Sequence, residues 1–139
     1  MKEKILAAND RFTRKVMALL DELAHIDAEK LNRKPANGGW SAIQTLHHLV
    51  LVEENSLAYV RKKLSFNPAL EKPGMLSGLR MLVLRIGLSL PVKYKAPQSA
   101  GSERIPETST LDEVRTQWQK IRQDWDAFFH ALSEETAKQ

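Results

Sequence analysis

The chain has 139 residues, 42% hydrophobic and 27% charged, which is long enough for one domain over residues 1–139 with a real core and too apolar for disorder. It holds no cysteine, so disulfides, thiolate metal sites and cysteine nucleophiles are excluded. The net charge of +4, from 21 basic and 17 acidic residues, is scattered along the sequence and reads as a solvated surface, so no nucleic-acid partner is expected.

In chain order, the start Met1-Lys2-Glu3-Lys4 leads into polar Asn9, Asp10 and Arg11 rather than an apolar leader core, and with the lack of cysteine this points to the cytoplasm. Ile5, Phe12, Val16, Leu19 and Leu23 recur at helical steps and predict a first amphipathic helix over 5–23. His25 closes it, where a cation suits the helix dipole. A polar connector, Lys30 to Gly39, follows, punctuated by Pro35 and Gly38-Gly39.

A second helix is predicted to open at Ser41, whose spacing from Gln44 is that of a capping box, and to run to about Leu64. Ile43, Leu46, Val50, Leu57 and Leu64 form its stripe, while Leu49, Leu51, Val52, Tyr59 and Val60 carry apolar surface well beyond it. Glu53 and Glu54 are the only formal charges between Ser41 and Val60, so this helix is expected to be central or to lie under a second interface, such as that of a homodimer.

Met75 to Leu90 reads as a short amphipathic helix with Leu76, Leu79, Leu82, Val83 and Ile86 inward; with Arg80 and Arg85 in it, it is no membrane span. Arg80, Arg85, Lys93 and Lys95 border its apolar face, a weaker pointer to a membrane surface. Pro91, Pro97, Gly101 and Pro106 make the rest of this connection irregular, and a crossover of such length lets the flanking helices run parallel. The last helix is predicted over Leu111 to Leu132, with a capping box at Thr110 and Glu113 and a stripe through Val114, Trp118, Ile121, Trp125 and Phe128. Trp118 and Trp125 are expected in the core, and His130 off the stripe and exposed.

Chemistry centres on His47 and His48, adjacent on a helix and therefore about 100° apart, too divergent to share one ion. Periodicity places His47 on the flank of the buried stripe and His48 nearly opposite. A buried histidine held by a hydrogen bond is the plainer reading of such a residue. Glu53 and Glu54 are candidates for a base or for a partner to a ligating histidine, against a surface role. No phosphate-binding glycine loop, serine elbow or zincin motif occurs.

Trp40-Ser41, then His48-Leu49, then an acid at Glu53 or Glu54, resembles the second-helix signature of the DinB-like superfamily, and Leu90 to Pro97 is similar to a connector in some members. The resemblance implies an all-α, up-down-down-up four-helix bundle with a long crossover between helices two and three. It implies that His48 is one ligand of a divalent metal, zinc or nickel, in a metal-dependent hydrolase or thiol transferase acting on a small molecule. His47, Glu53 and Glu54 then become candidates for a base or for groups that orient the ligating histidine. The family's other two histidines lie one turn apart on a fourth helix. No His-x-x-x-His occurs in this sequence, so the fourth helix is expected to be missing or incomplete. The alternative is a non-catalytic helical module that has lost the metal and dimerises through the apolar surface of helix two.

Overall fold

The computed structural model describes residues 1–66, 83 and 102–132. Every regular element among them is a helix: α1 (Lys2–Leu23), α2 (Ala28–Asn32), α3 (Ala42–Ser65), a 3₁₀ turn at Ser102–Arg104 and α4 (Leu111–Ala131). No helix of the described residues is long and apolar enough to cross a membrane.

Helix directions follow from side-chain contacts. Arg115 near the start of α4 pairs with Asp21 near the end of α1, while Asn9 reaches Asp126 and Lys2 reaches the His130 carbonyl. These helices are therefore antiparallel. Along α3, Gln44 reaches Pro106, His47 reaches Ser109, Glu53 reaches Trp118 and Arg61 reaches the Asp124 carbonyl. So α3 and α4 run parallel, as the long crossover between them permits. The three long helices are thus up, down and down, and the fourth of such a bundle is not among the described residues. The helix expected over Met75–Leu90 also lies outside them, apart from Val83, which is 62% exposed rather than inward.

Two starts obey the predicted chemistry. Ser41 accepts the Gln44 backbone N–H while the Gln44 side chain accepts the Ser41 N–H, and Thr110 and Glu113 repeat this reciprocal box. The turn before Ser41 is set by Gly38, whose φ of 75° suits a residue without a Cβ and whose N–H bonds the Pro35 carbonyl. Trp40 follows directly.

The core joins Val16 and Leu20 of α1, Leu31 of α2, Ile43, Leu46, Val50 and Leu57 of α3, and Val114, Trp118 and Ile121 of α4. Burying a Leu20 or an Ile43 completely stabilises by about 1.5–3 kcal/mol each. Two expectations need correction here. On α1, Leu20 and not Leu19 is the inward residue, and Phe12 is 46% exposed, because the inward face includes the polar Asn9 and Thr13 that serve a buried Arg122. The start of the connector also falls within α2, a single turn anchored by the buried Leu31 and too short to show a period.

Candidate functional site

Three sites spread around α3 in different directions. The first is built on His47, which is only 6% exposed. Its Nε2 lies 2.8 Å from the Ser109 hydroxyl, and that hydroxyl lies 2.5 Å from a Glu113 oxygen, which also accepts the Thr110 N–H. Asn32 of α2 clasps the backbone of Ser109 from both sides, through its N–H and its carbonyl. Burial pushes the His47 pKa below its ordinary value, against an opposing pull from the Gln117 side chain and the Glu113 charge. The Ser109 hydroxyl and the Thr110 N–H hold the Glu113 carboxyl below the usual carboxylate range.

These facts fix the protons. An ionised Glu113 has no hydrogen to give, so the Ser109 hydroxyl donates to it, and the hydroxyl oxygen accepts from the His47 Nε2–H. The imidazole therefore faces Ser109 with an N–H and does not act as its base, and Glu113, held below the usual carboxylate range, is a weak one. The network ties α2, α3 and the start of α4 together. Beside it lies a cavity of about 500 Å³, also lined by Glu54, Arg104 and Gln117.

The second site is His48. Its ring lies 4.9 Å from that of Trp40, centroid to centroid, at a tilt of 51°. Its Nδ1 is buried and makes no hydrogen bond among the described residues, a condition that costs about 1–3 kcal/mol when no partner or ligand relieves it. His47 and His48 thus diverge as helical geometry requires, and the periodicity correctly marks His47 as the more buried of the two.

The third site is the buried ion pair of Glu53 with Arg122, 2.8 Å apart. Glu53 also accepts the Trp118 Nε1–H, and Arg122 further donates to Thr13 and Asn9. The Phe12 ring covers this guanidinium, 4.8 Å from the ring centroid. Glu54 points elsewhere again, to Arg104 at 3.5 Å. Neither carboxylate is bonded to His48. Sequence reasoning overlooked Arg122, whose only advance signal is its place next to Ile121 on the α4 stripe, and Ser109, which precedes the N-cap.

A catalytic zinc takes about three protein ligands. Among the described residues no group of three His, Cys, Asp or Glu side chains is placed to hold an ion, and all four histidines of the chain are among them. The described residues therefore do not assemble a complete metal centre; among them His48 is the histidine with a buried ring nitrogen left unpaired.

A family model, described as the DinB superfamily, matches residues 10–139. The chain belongs to that superfamily, and the all-helical architecture with parallel α3 and α4 agrees with it. No curated protein and no solved structure matches the chain.

Proposed function

We propose that this DinB-superfamily domain serves a metal-dependent hydrolase or thiol transferase acting on a small molecule in the cytoplasm, with His48 as the α3 ligand of a divalent ion, zinc or nickel. The single observation that carries this reading is the buried Nδ1 of His48, which has no hydrogen-bond partner among the described residues. A polar atom kept in that condition is destabilising unless something else meets the ring. Trp40 against its face restricts the ring, as a ligating side chain requires. The remaining donors would come from outside the described residues. His47 and Glu53 take supporting roles in this reading, the first as a clasp between helices and the second as the counter-charge of Arg122, and Glu54 lines the neighbouring cavity.

Calorimetric titration of the chain with zinc tests the reading. Binding that His48→Ala removes and His47→Gln retains is expected; equal binding by the chain and by His48→Ala would overturn it.

A second reading, a module that dimerises through α3, is favoured by one observation: Leu49, Val52 and Tyr59 of α3 are 40%, 44% and 61% exposed. Sedimentation at micromolar concentration separates the two, a dimer supporting this reading and a monomer removing it.

A further inference from the structure

We propose that the cavity beside His47 binds a small organic cation, an alkylammonium or alkylguanidinium, between Glu54 and Glu113. Glu54 follows His47 by seven residues, so both side chains occupy one face of α3, while Glu113 and Gln117 sit a turn apart on the facing side of α4. Among the described residues that line the cavity, the carboxylates of Glu54 and Glu113 outnumber the one guanidinium, that of Arg104, on a chain that is basic as a whole.

Among the described residues each carboxylate leaves one oxygen uncommitted. Glu113 uses Oε2 for both the Ser109 hydroxyl and the Thr110 N–H, and Glu54 uses Oε2 for Arg104. Val50, Leu51 and Pro106 supply an apolar wall for an alkyl body.

The chain itself shows what this place accepts. Arg104, on the 3₁₀ turn, brings a guanidinium to Glu54 at 3.5 Å, with the two side chains 63% and 39% exposed. An exposed, long ion pair of this kind is worth at most about 1 kcal/mol. A free cation that reaches Glu54 and Glu113 together displaces it at little cost. The Ser109 hydroxyl and the Thr110 N–H lower the Glu113 pKa, which favours the charged form of this carboxylate.

Titration of the chain with butylguanidinium, followed by NMR at the His47 ring and the Gln117 side-chain amide, tests the proposal. Both signals are expected to move. Glu54→Gln should weaken binding about fivefold and Arg104→Ala should tighten it by a similar factor, as the loss of one exposed charge pair implies. Both positions are on the surface, so neither variant threatens the fold. Butylurea, of the same shape without charge, should not bind measurably, and His48→Ala should bind as the parent does, which separates this site from the metal reading. Equal affinity for butylurea, unchanged affinity in Glu54→Gln, or weaker binding in Arg104→Ala would overturn it.

Discussion

His47 is buried in its neutral form, so protonation and folding compete for it. Its folded pKa lies below the ordinary histidine value of 6.5, which makes the unfolded chain the better proton acceptor. The stabilisation is therefore complete above about 6.5 and falls as the pH drops from there toward the folded pKa. Urea midpoints measured from pH 8 to 5 should decline in the parent chain and decline less in His47→Gln; parallel profiles would contradict this origin. Glu113 acts in a separate window, because its lowered pKa gives stability that is present above 4.5 and lost only as the pH falls through its folded value. At Glu53 the prediction concerns burial. Removing it in Glu53→Ala leaves Arg122, whose side chain is 7% exposed, without its counter-charge, and should cost about 3 kcal/mol in denaturant unfolding. The double change Glu53→Leu with Arg122→Met should recover most of that loss. The His47 burial was legible in the apolar stripe of α3. The role of Glu53 was not, because its partner Arg122 is 69 residues away in sequence and a buried charge carries no periodic signal.

At the scale of the element, the capping boxes were the most legible features, since their chemistry is local: Ser41 with Gln44 and Thr110 with Glu113 need only a spacing. Ser41 is 1% exposed, so Ser41→Ala should remove about 1 kcal/mol of stability, read as a lower thermal midpoint with an unchanged far-UV helix signal. Helix α1 was harder. Its inward face carries Asn9 and Thr13 among Val16 and Leu20, so an apolar stripe drawn through Phe12 and Leu19 rotates away from the true one. The reason is tertiary: Arg122 of α4 needs polar partners, and α1 provides them. Helix α2 left no trace beyond Leu31, because five residues complete little more than one turn.

For the whole molecule, the resemblance and the physics meet in the parallel pair α3 and α4. A long crossover permits that arrangement, the contacts from Gln44 to Arg61 establish it, and the DinB superfamily match over residues 10–139 accords with it. The two histidines then divide the surface of α3 between them. One joins three helices at their ends, and the other keeps a buried nitrogen without a partner among the described residues. That division was half legible: the Trp-Ser…His-Leu spacing selects His48, but only packing shows that His47 is already occupied. The most direct test of the account observes the imidazole nitrogens themselves, by long-range ¹H–¹⁵N NMR of the four histidines during addition of zinc. With His48 as the ligand, its ring nitrogens should shift first, one of them moving to a metal-bound position, while those of His47 hold theirs. A His48 ring that stays unchanged through the titration, or that responds only after His25 and His130, would contradict it.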